Sequence, residues 1–379
     1  MLIGIDASRA NKPRKTGVEW YSYHLIEELK KIDSSNRYFL YTNEPLRGEL
    51  AKCPPNFEER LLKWPLPRLW TLGRLSLEMK FGRPAPDVLF VPAHTIPFLT
   101  PKRVVVTVHD IGFEHFPGLY SLPDKLYHRF SIQLIKRFAS KIITVSNFSK
   151  RDLIDIYKIN PEKIKVIYNG YDDTRYKIEN QIPPNSQFDR VGKTERSGEL
   201  NSYILFIGRL EEKKNVARLV ETFGMFKQRH PADRHKLILI GKPGFGFERV
   251  QKVIAQSGLQ REIEMPGWVD EEELPDYLRQ AALFVFPSLF EGFGIPVLQA
   301  MACGCPVICS NTTSLPEIAG DAALTFNPEK PEEICARMEQ VLLNPEVSES
   351  LREKGLRQVK NFSWRKCAEE TLAVLQGLC

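Results

Sequence analysis

No stretch of the chain approaches the roughly 20 apolar residues that a helix needs to cross a bilayer. Functions that require a membrane-spanning helix are therefore excluded. The chain also has no Walker-type phosphate loop, no Gly-x-Ser-x-Gly elbow, no His-Glu-x-x-His helix and no Asp-x-Asp pair. The first three absences argue against a P-loop nucleotidase, an α/β-hydrolase and a zinc protease. The fourth removes the simplest carboxylate clamp for a metal on a diphosphate. Any diphosphate must then be held by cationic side chains and helix termini, so neither a metal nor a cofactor is expected. Cysteine is sparse and odd in number, seven in all. Cys303, Cys305 and Cys309 fall inside an apolar helix-to-strand run, and no second Cys/His group completes a metal site. They read as buried thiols, which points to a reducing compartment. The chain opens on Leu2-Ile3-Gly4-Ile5-Asp6, a strand pattern without a charged leader, so a cytoplasmic location is expected.

What is present is a repeated alternation of short apolar runs and helix-length segments. In the first half the strand candidates are Leu2–Ala7, Tyr38–Thr42, Val88–Pro92, Val104–His109, Ile142–Val145 and Ile164–Tyr168. In the second they are Tyr203–Gly208, Leu237–Gly241, Ile263–Pro266, Leu283–Pro287, Val307–Ser310 and Leu324–Phe326. Runs apolar on both faces predict parallel sheets covered by helices on both sides. Between the halves, Lys177–Leu200 is polar, contains Pro183-Pro184 and lacks periodicity. The expected organisation is a Rossmann-like domain over 1–175, a connection over 176–200 and a second Rossmann-like domain over 201–379. The amphipathic last helix, Trp364–Leu378, is free in this reading to pack back on the first domain. The fold class is α/β, two doubly wound domains facing across a cleft, with ligands outside the carboxyl ends of the strands. Charge divides unevenly: residues 1–175 hold 28 Lys/Arg against 19 Asp/Glu, and the remainder 25 against 28. Different partners for the two halves follow.

The most informative segment is Ser288-Leu289-Phe290-Glu291-Gly292-Phe293-Gly294-Ile295-Pro296. It follows the apolar run Leu283–Pro287. Pro296 suits the first turn of a helix, where an N–H has no partner anyway. A carboxylate, glycine amides and a helix N-terminus thus converge at a strand end. Amides and the helix dipole favour an anion. The carboxylate repels phosphate and suits hydroxyl groups. A ligand with phosphate at one end and a polyol at the other is a nucleotide sugar.

Three other strand ends carry candidates. Gly208-Arg209 and Lys214 flank a strand-to-helix turn, and a guanidinium fork beside a point-like ammonium suits a diphosphate. His109 closes the run Val104–Val108, placed to bond a sugar hydroxyl or the acceptor. Gly17 follows the basic loop Arg9–Thr16 at a helix start, where amides can approach a phosphate. Gly241-Lys242-Pro243-Gly244-Phe245-Gly246 is not in Gly-x-Gly-x-x-Gly order, which weakens a hydride-transfer reading. Two basic stretches interleaved with aromatics, Arg60 to Arg83 (with Trp64, Arg68, Trp70, Lys80 and Phe81) and Lys125 to Arg151, suit either a solvated helix face or an anionic membrane surface. Nucleic acid is not an expected partner, because neither stretch joins a recognition motif.

These motifs together resemble the retaining glycosyltransferases of family 4, of the GT-B fold. They are Gly17, Val108-His109-Asp110, Thr144-Val145-Ser146, Ile167-Tyr168-Asn169-Gly170, Gly208-Arg209 with Lys213-Lys214-Asn215, Pro287-Ser288 and Glu291-Gly292-Phe293-Gly294. The residues near His109 and Glu211–Asn215 are most similar to the mannosyltransferases of surface-polysaccharide assembly. The resemblance implies that Arg209 and Lys214 bind the donor diphosphate and that Glu291 faces the donor sugar. It places Gly292, Phe293, Gly294 and Ile295 beside that sugar, Val269 near the nucleobase and His109 in the cleft. The chain departs from the family at Gln299, where a second Glu usually binds the ribose diol; an amide offers one oxygen and a donor NH₂ instead. The implied donor is GDP-mannose, with UDP-hexoses and dTDP-deoxysugars as alternatives. The implied acceptor is a glycan or polyprenyl-linked glycan at the inner membrane face. Rival classes on the same fold are a non-catalytic nucleotide-sugar-binding subunit and a phosphorylase or epimerase.

Overall fold

The computed structural model describes residues 1–66, 69–178 and 203–378. Most of the connection expected at 176–200, and Arg68 of the first basic stretch, lie outside the described residues.

The chain divides into two compact units. Unit 1 is Met1–Gly170 with Phe362–Cys379, and unit 2 is Tyr171–Asn361. Unit 1 holds a seven-stranded parallel sheet built from β1 (Leu2–Asp6), β2 (Arg37–Thr42), β3 (Phe57–Leu61), β4 (Val88–Val91), β5 (Val104–Val108), β6 (Lys141–Thr144) and β7 (Ile164–Val166), in the order β3-β2-β1-β4-β5-β6-β7. Unit 2 holds a six-stranded parallel sheet from β8 (Tyr203–Ile207), β9 (Lys236–Ile240), β10 (Ile263–Gly267), β11 (Leu283–Phe286), β12 (Val307–Ser310) and β13 (Leu324–Phe326), in the order β10-β9-β8-β11-β12-β13.

In both sheets the order runs outward from the first strand in one direction and then in the other. The chain therefore reverses direction between β1 and β4, and again between β8 and β11. Such a reversal opens a crevice at the carboxyl ends, because the flanking helices leave on opposite faces.

The central strands are apolar on both faces because helices cover both. All of Val104–Val108 is buried, and even Thr107 pairs its hydroxyl with Tyr21 Oη at 3.0 Å. Each Val buried there contributes on the order of 1.5–3 kcal/mol. The edge strand β3, Phe57-Glu-Glu-Arg-Leu, buries only Phe57 and leaves its charges near solvent. It has no apolar run to announce it, and the sequence reading did not include it.

Unit 1 is closed by the C-terminal helix Trp364–Gln376, which packs against the helix Gly17–Ile32. His24 stacks between Trp20 and Trp364, with ring centroids 5.3 and 5.2 Å away. Gly170 admits this packing: a Cβ there would fall 2.1 Å from the Trp364 amide nitrogen.

Candidate active site

In unit 2 the loops leaving β8, β9, β10 and β11 meet at the carboxyl end of the sheet. Gly208 N–H donates to Ile240 O at 2.9 Å, and Gly241 N–H to Gly267 O at 2.8 Å. The backbones of Gly208 and Gly241 approach so closely that a Cβ on Gly241, at φ +147°, would sit 1.9 Å from Gly208 O. Glycine at 241 is thus a steric requirement of how the two strand ends meet.

Arg209 lies along Gly244, where a Cβ would come within 2.8 Å of its Cγ and Cδ. Its guanidinium stands 3.9 Å from Glu211, and 62% of the side chain is exposed. Lys214 ends a 3-10 turn, Glu212–Lys214. The chain then passes through Asn215 at φ +60° into the helix Val216–Arg229, with Asn215 Nδ2 donating to Pro328 O at 2.7 Å. That bond fixes the direction in which Lys214 projects.

The Lys214 ammonium donates to Glu291 Oε1, forming an ion pair whose side chains are only 16% and 12% exposed. The sequence reading gave these groups separate tasks. In the structure they are joined, and the pair sets a cation beside the carboxylate. With Arg209 and its neighbour Glu211 the four groups sum to zero net charge, so the carboxylates do not make the site anionic.

The Glu291 loop is held on both sides. Leu289 N–H donates to Lys213 O at 2.9 Å, and Ser288 Oγ lies 3.3 Å from the same carbonyl. On the other side Glu291 N–H donates to Thr313 Oγ1 at 3.2 Å. The buried Ser314 hydroxyl sits 2.9 Å from the carbonyls of both Glu291 and Phe293. Gly294 turns the chain at φ +111° into the helix Ile295–Ala302, and its Cβ would meet Leu315 Cδ2 at 2.7 Å. Pro296 occupies the first turn of that helix. Gly292, Phe293 and Gly294 are buried, whereas Ile295 is half-buried. Gln299 lies one turn on, half-buried, and its side chain has no hydrogen-bond partner among the described residues.

Val269 is buried just past β10. Its neighbour Trp268 is exposed, with Lys242 Nζ 4.5 Å above the indole ring. Sequence reasoning missed Thr313, Ser314 and Lys242. The signals were a hydroxyl run, Thr312-Thr313-Ser314, right after a strand, and a lysine directly after Gly241.

Gly17 and His109 belong to unit 1. Gly17 opens its helix behind a Thr16/Glu19 capping box, and a Cβ there would meet nothing within 4 Å. Glycine at 17 leaves open space and is not demanded by packing. His109 follows β5, edge-on to Tyr21 with centroids 4.6 Å apart. Its Nε2 is 3.1 Å from Pro92 O. A carbonyl only accepts, so Nε2 carries the proton and Nδ1 presents a lone pair. Burial lowers the pKa below the usual histidine value, which keeps the ring neutral near pH 7. Cys303, Cys305 and Cys309 are buried thiols.

The model for glycosyl transferases group 1 matches residues 191–358, and the model for glycosyltransferase family 4 matches residues 15–175. O-antigen chain mannosyltransferase B of Escherichia coli is 31% identical over 272 residues, covering 72% of this chain and 69% of the relative. O-antigen chain mannosyltransferase RfbU of Salmonella typhimurium is 28% identical over 271 residues, covering 71% and 68%. Among solved structures, Anabaena HepE in complex with UDP and glucose superposes with a TM-score of 0.74 at 19% identity, over 99% of each chain. WaaG, a glycosyltransferase involved in lipopolysaccharide biosynthesis, does so with 0.73 at 15% identity, over 100% of each chain. The two parallel-sheet units are those of the GT-B fold. The hydride-transfer, phosphorylase and epimerase readings fall away, and the chain belongs to glycosyltransferase family 4.

Proposed function

We propose that the chain transfers a hexose, mannose from GDP-mannose first of all, to a glycan or polyprenyl-linked glycan hydroxyl with retention of configuration. One observation carries this reading. Lys214 and Glu291 form a partly buried pair at the strand reversal between β8 and β11, with the exposed Arg209 guanidinium on the loop from β8. The mannosyltransferase relatives favour mannose. UDP-hexoses and dTDP-deoxysugars are the alternatives that a nucleotide panel separates.

Unit 2 holds the donor in this reading. Cleavage of the glycosidic bond develops positive charge on the sugar ring and negative charge on the departing diphosphate. Arg209 and Lys214 are fixed cations for that diphosphate, and the helix start after Gly294 adds its dipole. Glu291, held by Lys214, orients sugar hydroxyls and stabilises the cationic ring. The diphosphate oxygen takes the acceptor's proton on the same face, which retains configuration without an enzymatic nucleophile. His109 Nδ1 accepts a hydrogen bond from a sugar hydroxyl. Gln299 offers its side-chain amide to the ribose diol. These cations do the work for which a metal would otherwise serve, and chelator-treated enzyme retains its rate.

Unit 1 also meets the membrane. On its helix Leu122–Phe138, Leu122, Leu126 and Phe130 recur every fourth residue and are exposed, with Lys125, Arg129 and Arg137 on the same helix. An exposed apolar stripe with basic neighbours fits an anionic lipid surface.

The test is a coupled assay of nucleotide release with donor and acceptor present. Transfer by the wild type and a loss of about 100-fold or more in Arg209→Ala support the reading. Wild-type turnover in Arg209→Ala removes the assignment.

A further inference from the structure

Unit 1 repeats the strand reversal of unit 2, and the groups gathered there have no role in the donor reading. The reversal lies between β1 and β4. Asp6 ends β1 and Ser8 and Arg9 follow it; past β4 comes His94; past β5 comes Asp110. The helix Leu122–Phe138 brings His128 to the same place: its ring lies 4.9 Å from that of His94, centroid to centroid. Phe113, itself buried, stacks on His128 at 5.0 Å and 17°.

The two imidazoles are unusual in one respect. Both are half-buried, and neither ring has a hydrogen-bond partner among the described residues, although each carries a donor and an acceptor. Burial pushes His94 down to about 3, helped by the neighbouring His128 and Arg9. Burial lowers His128 as well. Both rings are therefore neutral at physiological pH. Polar groups held at a crevice without protein partners are groups kept for a ligand.

Charge decides which ligand. Arg9 is the nearby cation, and it is held 3.3 Å from Glu19. The Asp6 carboxyl is held by Ser8 and Thr71, and Asp110 Oδ1 accepts from Gly112 N–H. Neutral imidazoles beside carboxylates disfavour a phosphate. They suit hydroxyl groups, which donate to carboxylate and imine nitrogen and accept from an imidazole N–H. The buried Phe113, stacked on His128, holds that imidazole in place.

We propose that His94, His128 and Asp110, walled by Phe113, form a subsite in unit 1 for a neutral pyranose ring of the acceptor glycan. This rests on the glycosyltransferase reading above and adds the acceptor's chemical class. The subsite takes the sugar, and any lipid phosphate lies elsewhere. His128 and Asp110 are positioning residues that set acceptor affinity and specificity.

Saturation-transfer NMR tests this on the full chain with GDP present to occupy the donor site. The probes are the methyl α-pyranosides of mannose, glucose and galactose, N-acetylglucosamine, and dodecyl phosphate as an anionic competitor. At least one pyranoside should receive saturation in the wild type. His128→Ala and Asp110→Asn should each reduce that signal fivefold or more, while Glu291→Gln in unit 2 retains it. Melting curves check that each variant is folded. His128→Gln, which keeps a donor and an acceptor, should restore part of the signal. Dodecyl phosphate should leave the signal unchanged. A thermal shift with GDP should be the same in wild type and both unit 1 variants. The proposal is overturned if no pyranoside is saturated, if folded His128→Ala and Asp110→Asn keep the wild-type signal, or if dodecyl phosphate displaces the sugar. A GDP shift that persists in any of those cases leaves the donor reading standing. Absence of a shift with any nucleoside diphosphate is the separate failure of that reading.

Discussion

The Lys214 ammonium bonds the Glu291 carboxylate across 77 residues of chain, tying the loop after β8 to the loop after β11. These strands are neighbours at the point where the sheet changes direction. The pair is thus a brace between two loops and, in the function proposed above, the charged centre of the donor site. The two roles separate by mutation.

Lys214→Ala leaves a mostly buried carboxylate without its cation. It should cost roughly 2–3 kcal/mol of stability, less than a fully buried pair because some solvent reaches both groups, and transfer should fall by about 100-fold or more. Glu291→Gln keeps an oxygen to accept from Lys214, so it should slow transfer as sharply with a much smaller change in melting temperature. Denaturant melts and rates for both variants check this. Equal destabilisation would mean that the brace depends on the carboxylate's charge and that a neutral hydrogen bond cannot replace it.

Arg209→Ala should behave differently. The guanidinium is exposed and makes one long ion pair, so the melting temperature should hold within a degree or two. The barrier should rise by about 3 kcal/mol, the loss of one fixed donor to a developing oxyanion. A rate assay beside a thermal melt gives both numbers.

Gly294→Ala should destabilise by roughly 1–3 kcal/mol, since alanine would have to adopt φ +111° and press on Leu315. Ser314→Ala strips a buried hydroxyl from two carbonyls of the Glu291 loop. It should cost about 1–2 kcal/mol and weaken donor binding by loosening the Glu291 loop. Calorimetric titration with the nucleoside diphosphate reads that loss.

Gln299→Glu should leave turnover within severalfold. Its amide lacks a protein partner among the described residues, and exchanging it for a carboxylate rearranges one ribose hydrogen bond at about 1 kcal/mol. A dead Gln299→Glu enzyme would mean that the amide N–H has a task of its own.

Flotation with anionic liposomes tests the membrane stripe. The wild type should float at low salt, and Leu126→Glu with Phe130→Glu should not. Both positions are exposed, so the double variant should melt as the wild type does.

Much of the fold was legible because a doubly wound sheet buries both faces of its central strands. Runs such as Val104–Val108, apolar but for Thr107, and Leu283–Phe286, apolar throughout, cannot be mistaken for surface. Strand β3 escaped notice for the opposite reason: an edge strand with Glu58, Glu59 and Arg60 near solvent has no such signal. In the site, Glu291 and Gly294 announced themselves through their neighbours, a strand before and a proline-led helix after. The bond from Lys214 to Glu291 did not. Two loops 77 residues apart become neighbours only through strand order, and strand order is a property of the sheet. His94 and His128 were silent as well, since each is a single histidine until the helix Leu122–Phe138 brings them together.

Thermal melting of wild type and Arg209→Ala against a panel of GDP, UDP and dTDP is the most direct measurement of the central claim, that the loops at the β8/β11 reversal grip a nucleoside diphosphate. Ligand binding to the native state raises the melting temperature by mass action. One diphosphate, GDP first of all, should raise the wild-type midpoint by several degrees, and the rise should vanish in Arg209→Ala. A wild type indifferent to every diphosphate, or an Arg209→Ala variant with an undiminished shift, would contradict it.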